Sequence, residues 1–370
     1  MQFIDLKTQQ DRIRELIELN IKKVLDHGKY IMGPEIEELE STLADYCGVK
    51  HAIGVASGTD ALLIPLMAYG IGPGDAVFTT PFTFIATAEV IQLLGATPVF
   101  ADIDPDTFNI DPRKLEKVIE ETIREGKLKP KGILPVDLFG QSADYDEINR
   151  IADKFNLFVI EDAAQSFGAT YKGKKACSLA DVASTSFFPA KPLGAYGDGG
   201  MIFTNDDDLH QKILSIRVHG SGSDKYNNIR VGLNGRLDTI QAAVLLAKFE
   251  IFDEEIHLRQ LVAKRYNEEL KNAVKVPVVE SHNISAWAQY AMLHPDREKV
   301  IENLKEAGIP VAIYYPIPLH LQEAFSNLGL NKGDFPVSEK CADDIFSIPF
   351  HPYLTKQDQD KITSAIKNAV

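Results

Sequence analysis

The chain has 370 residues, of which 45% are hydrophobic and 25% are charged, and its formal net charge is −14. Such a composition predicts a globular protein with a sizeable core, and the length favours one large domain and a smaller one. The negative charge argues against nucleic acid or an anionic membrane as a partner, because no overall positive field would attract either. The first residues are too charged for a signal peptide, and no apolar run approaches the ~18 residues of a membrane helix, so we expect a cytoplasmic protein.

The cysteines give no sign of a disulfide framework. Cys47, Cys177 and Cys341 are far apart and odd in number, which favours a reducing compartment. The sequence has neither a CxxC pair nor an HExxH motif. We therefore expect no metal site.

Apolar, β-branched segments recur up to residue 205 and predict the strands of one sheet. They cover residues 52–57, 76–80, 98–103, 132–139, 157–163, 182–188 and 200–205. Many of the segments between them have helical periodicity. Strands that alternate with helices predict an α/β fold with a mainly parallel central sheet flanked by helices. In such sheets ligands bind at the carboxyl ends of the strands, so catalytic residues should follow these segments directly.

The pattern changes beyond about Leu233. The hydrophobic periodicity over residues 236–273 predicts one long helix, and short strands and helices follow it. We predict a large α/β domain over residues 1–250 and a smaller α+β domain over residues 251–370. The polar, glycine-rich residues 219–235 indicate an exposed functional loop between the two patterns.

The first candidate site follows the first predicted strand. Its segment ends at Ser57, and Gly58 and Thr59 open a helix. Free amides and the positive end of the helix dipole make such a turn suitable for phosphate. The pattern also fits an ordinary turn in which Ser57 or Thr59 caps the helix, and the nucleotide-binding glycine motifs are absent from the sequence.

The second candidate site follows the fifth predicted strand. Asp162 ends that segment, and Gln165 follows three residues later. A buried, isolated carboxylate is unfavourable and normally finds a cation or takes up a proton. Asp162 could alternatively cap the next helix.

The third candidate site is the sequence SFFPAKPLGAYGDGG, which begins at Ser186. Pro189 and Pro192 fix their φ angles and exclude a regular helix around Lys191, so the lysine amine is held in a defined place. Desolvation by the neighbouring aromatic side chains lowers the pKa of a lysine and makes it nucleophilic toward carbonyl groups. A single lysine is ordinarily a solvated surface residue. The presence of Asp162 at a similar strand end favours a chemical role for Lys191 instead.

One cofactor would explain all three segments. Pyridoxal phosphate needs a lysine for its aldehyde, a carboxylate for its ring nitrogen and a turn for its phosphate. An aromatic side chain against the ring adds stacking, and Phe82 and Phe84 lie at another predicted strand end. Either phenylalanine could equally belong to the core.

Essentially the whole chain resembles the DegT-type sugar aminotransferases, a branch of the pyridoxal-phosphate-dependent transferases with the aspartate-aminotransferase-like fold. The shared motifs occur in the family's order and include GVASGTDAL, PFTFIATAE, IEDAAQSFGA, SFFPAKPLGAYGDGG, GLNGRLDTIQAA and YYPIPLH. The resemblance implies that Lys191 carries the cofactor as a Schiff base. It also implies that Asp162 pairs with the ring nitrogen and that Gln165 contacts the phenolic oxygen.

The resemblance implies further cofactor contacts and an assembly. It implies that Gly58, Thr59 and Ser186 bind the cofactor phosphate and that Phe84 stacks on the cofactor ring. Asn234 would reach the phosphate of the neighbouring subunit, so the family pattern implies a homodimer with shared active sites. Relatives that dehydrate sugars carry histidine in place of the lysine, so Lys191 argues against that reaction.

The reaction implied by the resemblance is a ping-pong transamination from glutamate to a keto group of a nucleotide-linked sugar. The chain looks most like enzymes that aminate the 3-keto group of UDP-N-acetylglucuronate derivatives for bacterial surface polysaccharides. The 3-keto dTDP-hexoses and the 4-keto sugars are alternative substrates. The candidate sugar-binding residues are His219, Arg236, Tyr314, Tyr315 and His320.

Other interpretations stay open for some of these residues and for the protein. His320 could be a capping or core histidine, and Arg236 could form a surface salt bridge. A regulatory or scaffolding dimer of the same fold is disfavoured by the presence of Lys191 and Asp162. A cysteine desulfurase of similar fold needs a mobile catalytic cysteine, and no cysteine here lies in an obvious glycine-rich loop.

Overall fold

The computed structural model describes residues 1–224 and 226–370. The α-helices are α1 (Leu6–His27), α2 (Pro34–Cys47), α3 (Gly58–Ala68), α4 (Ala86–Leu93), α5 (Pro112–Glu125), α6 (Tyr145–Phe155), α7 (Asp207–Arg217), α8 (Thr239–Phe249), α9 (Phe252–Leu270), α10 (Arg297–Glu306), α11 (Pro336–Asp344) and α12 (Lys356–Ala369). The strands are β1 (His51–Val55), β2 (Asp75–Thr79), β3 (Thr97–Phe100), β4 (Lys129–Ile133), β5 (Phe158–Asp162), β6 (Thr170–Tyr171), β7 (Lys174–Lys175), β8 (Val182–Ser186), β9 (Gly200–Thr204), β10 (Asn283–Ile284), β11 (Tyr290–Leu293) and β12 (Ile345–Ile348). Short 3-10 helices cover Leu138–Gly140, Leu319–Leu321 and Glu323–Leu328.

The central sheet has seven strands in the order β1-β9-β8-β5-β4-β2-β3. The strands from β8 to β3 pair in parallel, whereas β9 lies antiparallel between β1 and β8. Each strand overlaps one of the seven segments that the sequence pattern predicts, and the mainly parallel sheet is confirmed. The fourth prediction, residues 132–139, is displaced, because β4 covers Lys129–Ile133 and a 3-10 helix covers Leu138–Gly140.

Successive side chains of each strand enter different cores, as a sheet covered on both faces requires. Ile202 packs into the cluster that includes residues of α3 and α7, while Met201 and Phe203 pack with α2 and α8. Val182 and Ala183 alternate in the same way. This double burial explains why the strand segments are apolar almost throughout.

The prediction of one helix over residues 236–273 is wrong. Helix α8 ends at Phe249 and α9 begins at Phe252, with Ile251 outside helical geometry at φ −110° and ψ 4°. The two helices contribute to different cores, since Leu245 of α8 packs in the core of the large sheet and Tyr266 of α9 packs in a C-terminal core. No proline or glycine marks this position in the sequence.

The C-terminal core is formed by α9, α10, α12 and the antiparallel pair β11–β12. Its buried side chains range from Val262 to Ala369. Phe252 and Ile256, at the start of α9, still pack with the large core. The predicted boundary at residue 250 therefore remains a prediction.

The described parts of the chain contain neither a membrane-spanning helix nor a metal-binding cluster. Among residues 1–224 and 226–370, no helix combines the length and the apolar character that crossing a membrane requires. Within the same two ranges, no group of three or more His, Cys, Asp or Glu side chains is arranged to hold a metal ion.

Candidate active site

The carboxyl ends of β1, β5 and β8 bring the three predicted segments to one edge of the sheet. Val55 ends β1 and Ser186 ends β8, and both pair with Gly200, the first residue of β9. Asp162 ends β5 and pairs with Ser184 of β8. The turn before α3, the Asp162 carboxylate and the loop after β8 therefore lie close together.

The turn between β1 and α3 depends on two glycines. A Cβ atom on Gly58 would lie 2.6 Å from Cβ of Ser186, and one on Gly200 would lie 2.4 Å from the carbonyl oxygen of Ser57. Ser57 caps α3, since its Oγ accepts a hydrogen bond of 3.0 Å from the amide of Asp60. The first amides of a helix lack intrahelical acceptors, so Gly58 and Thr59 can donate to a phosphate while Ser57 caps the helix.

Asp162 is a buried carboxylate, only 4% exposed. Its Oδ2 accepts a hydrogen bond of 2.8 Å from Thr87 Oγ1, and its Oδ1 accepts one of 3.2 Å from the amide of Ala164. Burial raises the pKa of Asp162, while the bonds from Thr87 and Ala164 and the charge of Lys191 oppose the rise. A cation placed against this carboxylate would relieve the cost of its burial.

Lys191 lies in the loop between β8 and β9. The loop is closed by bonds of 2.7 Å from the amide of Ala195 to the carbonyl of Phe187 and of 2.8 Å from the amide of Lys191 to the carbonyl of Phe188. Burial lowers the pKa of Lys191 to about 8, and the charge of Asp162 opposes this effect. About a tenth of such amines are neutral and nucleophilic at pH 7.

Gln165 is held at both ends of its amide. Its Oε1 accepts a hydrogen bond of 2.7 Å from the backbone amide of Phe139, and its Nε2 donates one of 3.2 Å to the hydroxyl of Tyr315. The Phe139 contact fixes the orientation of the amide, since only the oxygen can accept from N–H. One N–H of Gln165 can then be donated to the phenolic oxygen of the cofactor. Tyr315, predicted for the sugar site, is thus a direct partner of a cofactor-side residue.

The structure separates the two candidate phenylalanines. Phe82 is completely buried and belongs to the core, whereas Phe84 is 55% exposed. The ring centroid of Phe84 lies 6.4 Å from that of Tyr315. Phe84 is therefore the side chain that a ligand ring can reach.

The segment that contains Asn234 and Arg236 runs beside the phosphate turn. Arg236 forms a bridge with Val55, and the carbonyl of Gly235 accepts a hydrogen bond of 3.0 Å from the amide of Ala56. Arg236 Nε donates a bond of 2.9 Å to Oδ1 of Asn234, which is exposed. In place of the surface salt bridge considered for Arg236, the structure gives it this asparagine partner.

The other candidates for the sugar site differ in how accessible they are to a ligand. His219 is exposed at φ 56°, in the same segment of the chain. Tyr314 is half-buried, with its ring centroid 5.9 Å from that of Tyr315. His320 has a fully buried side chain whose Nε2 lies 3.1 Å from Glu339 Oε1, so it offers no exposed atom to a ligand and the core interpretation is favoured.

Sequence reasoning did not single out Thr87 or Phe139. Thr87 belongs to the motif PFTFIATAE, so a polar side chain five residues after Phe82 was a visible signal. The contribution of Phe139 is a backbone amide, which leaves no trace in the residue type. Contacts of this kind become visible only when the fold brings distant segments together.

These residues fit pyridoxal phosphate. The buried Asp162 carboxylate lacks a full counter-charge, the amine of Lys191 has a lowered pKa, and Gly58 leaves room at a helix terminus beside Ser186. The protonated ring nitrogen of the cofactor would pair with Asp162, its aldehyde would react with Lys191, and its phosphate would fit the turn at Gly58.

Comparisons with known proteins agree with this chemistry. Residues 11–367 match the family model described as the DegT/DnrJ/EryC1/StrS aminotransferase family. The UDP-2-acetamido-2-deoxy-3-oxo-D-glucuronate aminotransferase of Pseudomonas aeruginosa is 53% identical over 369 residues, which cover 100% of both chains.

Solved structures give the same result. A DegT DnrJ EryC1 StrS aminotransferase from Brucella abortus is 51% identical, with a TM-score of 0.98 over 100% of this chain and 99% of that one. NtdA from Bacillus subtilis, solved with bound cofactor PMP, is 30% identical, with a TM-score of 0.88 over 99% of this chain and 83% of that one. The chain belongs to the DegT/DnrJ/EryC1/StrS aminotransferase family and is an enzyme that depends on pyridoxal phosphate.

Proposed function

We propose that this aminotransferase transfers an amino group from glutamate to the C3 keto group of UDP-2-acetamido-2-deoxy-3-oxo-D-glucuronate, as a step of bacterial surface polysaccharide synthesis. The relative from Pseudomonas aeruginosa, matched over its full length, is named as an aminotransferase of this sugar nucleotide. The observation that carries the proposal is the position of Arg236 beside the β1–α3 turn, at the sheet edge where Asp162 and the Lys191 loop meet.

The residues of the sheet edge have separate tasks. Asp162 holds a proton on the ring nitrogen of the cofactor, and Thr87 fixes the carboxylate. When bound, pyridoxal phosphate supplies an electron sink for the carbon that loses a proton. Lys191 would hold the cofactor through its aldehyde, and its amine, once freed by the amino donor, would carry a proton between the substrate carbon and the cofactor. Its pKa of about 8 suits both directions of this transfer near neutral pH.

Recognition of an acidic sugar needs a local cation, because the chain has a net charge of −14. Arg236 uses Nε for its bond to Asn234. Its two terminal nitrogens suit a bidentate contact with the uronate carboxylate. His219 and Tyr314 are the further candidates for the sugar.

The protein would act as a homodimer with shared sites. Apolar side chains are exposed near this edge, among them Tyr30 at 48%, Ile31 at 46% and Phe188 at 53%. The backbone carbonyl oxygen of Tyr30 accepts a hydrogen bond of 3.0 Å from the amide of Thr239, which is close in sequence to Arg236. These exposed apolar side chains fit the association of two copies, with Asn234 serving the neighbouring site.

The reverse half-reaction tests the substrate. The pyridoxal form is mixed with a UDP-3-amino-uronate, a dTDP-3-amino-hexose or a 4-amino nucleotide sugar, and absorbance near ~420 nm is followed. We expect the UDP-3-amino-uronate to remove this absorbance fastest. Conversion by a 4-amino or dTDP sugar alone would contradict the proposal.

A further inference from the structure

A second buried lysine, Lys248 of α8, lies behind the Lys191 loop. Lys248 is 1% exposed, and its Nζ donates a hydrogen bond of 2.6 Å to the carbonyl oxygen of Gly194. The same nitrogen lies 4.3 Å from the centroid of the Tyr196 ring. A buried ammonium is costly unless it is paired or bonded, and here both contacts come from the segment that follows Lys191.

Helix α8 holds that segment at a second point. Gln241 Oε1 accepts a hydrogen bond of 2.9 Å from the amide of Tyr196, and Gln241 Nε2 donates one of 3.4 Å to the Tyr196 carbonyl. Lys248 and Gln241 therefore fix the backbone at Gly194 and at Tyr196. The helix begins three residues after Arg236, so the same element borders both parts of the site.

The position of Gly194 is transmitted to the residues just before Lys191. A Cβ atom on Gly194 would lie 2.4 Å from the carbonyl oxygen of Pro189, so the two backbones are in direct contact. The amide of the next residue, Ala195, donates a bond of 2.7 Å to the carbonyl of Phe187. The loop therefore has little freedom to shift at Gly194 without moving Pro189.

We propose that Lys248 is a positioning residue for Lys191, because its bond to the Gly194 carbonyl fixes the loop from which the Lys191 amine reaches the cofactor. The proposal rests on Lys191 being the cofactor lysine. Lys248 acts through the backbone of residues 187–196. Burial lowers the pKa of Lys248 to about 8, and the charge of Glu255 opposes this effect. Both the ammonium and the neutral amine can donate to Gly194, so the contact persists when Lys248 loses its proton.

The first test uses cofactor-free protein and amide hydrogen exchange. Lys248→Met keeps an apolar stem and loses the donor, and Ile119→Val perturbs the distant core below α5 as a control. We expect peptides covering residues 187–196 to exchange about tenfold faster in Lys248→Met and unchanged in Ile119→Val. Equal exchange in the two variants would overturn the proposal and leave Lys248 with a packing role.

The second test uses the loaded enzyme and the pH midpoint of its Schiff-base absorbance. Loss of the Lys248 cation and hydration of the loop both favour the protonated Schiff base. The midpoint should therefore rise by about half a pH unit in Lys248→Met. Gln241→Leu loosens the same loop without a change of charge and serves if Lys248→Met does not fold. It should reproduce the faster exchange, and an unchanged loop in Gln241→Leu would contradict the proposal.

The assignment of Lys191 as the cofactor lysine is tested separately from the role of Lys248. Reduction of the loaded enzyme with borohydride, followed by peptide mass analysis, identifies the lysine that bears the cofactor. A label elsewhere than Lys191 would refute that assignment, while the exchange experiment would still report whether Lys248 holds the loop.

Discussion

The two sides of the active site are built differently. On the cofactor side, Asp162 and Gln165 are 4% and 3% exposed, and each side chain is fixed by two hydrogen bonds. On the proposed substrate side, His219 is exposed and Arg236 is half-buried, and both lie in the segment between α7 and α8. The chemistry shared by a family is thus fixed in the sheet edge, whereas substrate choice is left to residues that a ligand or a second subunit can complete.

Removing the amine of the cofactor side should have the largest effect. We expect Lys191→Ala to lower kcat by about 10⁴-fold and to abolish the Schiff-base absorbance, since no other group at the edge replaces the nucleophile and base. Absorbance and single-turnover rates measure this. Lys7→Ala, at an exposed position, is the control, and residual covalent cofactor in Lys191→Ala would contradict the assignment.

Neutralising the acid of the cofactor side should come next. Asp162→Asn keeps the shape and the Thr87 contact but cannot hold a proton on the ring nitrogen. We expect kcat to fall by about 10²- to 10³-fold with little change in the KM for glutamate. A rise of the same size in the KM for glutamate, with kcat unchanged, would indicate that Asp162 only shapes the site.

A change on the substrate side should affect one substrate. Arg236→Met should raise the KM for the UDP-uronate by about 10- to 100-fold, because the carboxylate loses its counter-charge. The glutamate half-reaction in the same variant is the internal control. Equal losses in both half-reactions would show that the arginine supports the cofactor turn instead.

The contact behind Asp162 should have a smaller effect that depends on pH. Burial raises the pKa of Asp162 and the Thr87 hydrogen bond opposes this rise, so Thr87→Val should raise that pKa further. The ionised carboxylate is the active form, and activity lost on acidification should therefore be lost at higher pH. We expect kcat at pH 6 to fall by about tenfold relative to wild type, with a smaller deficit at pH 8. A uniform loss at both pH values would count against this mechanism.

His320 should show the smallest effect on catalysis. Because its side chain is buried against Glu339, His320→Gln should leave the KM for both substrates unchanged and lower stability by about 1 kcal/mol. Steady-state kinetics and a urea unfolding midpoint provide the two readings. A tenfold rise in the sugar KM at unchanged stability would restore His320 to the substrate side.

Much of this architecture could be predicted from the sequence, because its signals are local. Most of the seven strands are marked by apolar runs, with β4 (Lys129–Ile133) as an exception, and the rule that sites follow strand ends selects Asp162 and Lys191 as candidates before any fold is known. Glycines such as Gly58 mark close approaches that only they permit. Strand ends and turns are therefore within reach of sequence reasoning, while the cofactor roles of Asp162 and Lys191 stay predictions.

The features that escaped prediction depend on contacts between distant segments. The break at Ile251 lies between two helices of good periodicity and has no proline or glycine to signal it. The bond from Thr87 to Asp162 spans 75 residues, and that from Lys248 to Gly194 spans 54. His320 has the residue type of a catalytic group, and only its packing against Glu339 distinguishes it from one.

The antiparallel strand β9 has a consequence for turnover. Because β8 and β9 pair with each other, the Lys191 loop leaves and re-enters the sheet at the same edge as a short connection. The lysine is therefore anchored at two ends to one rigid body. Any movement of the elements outside the central sheet would leave both ends of this loop, and the proposed attachment point between them, in place.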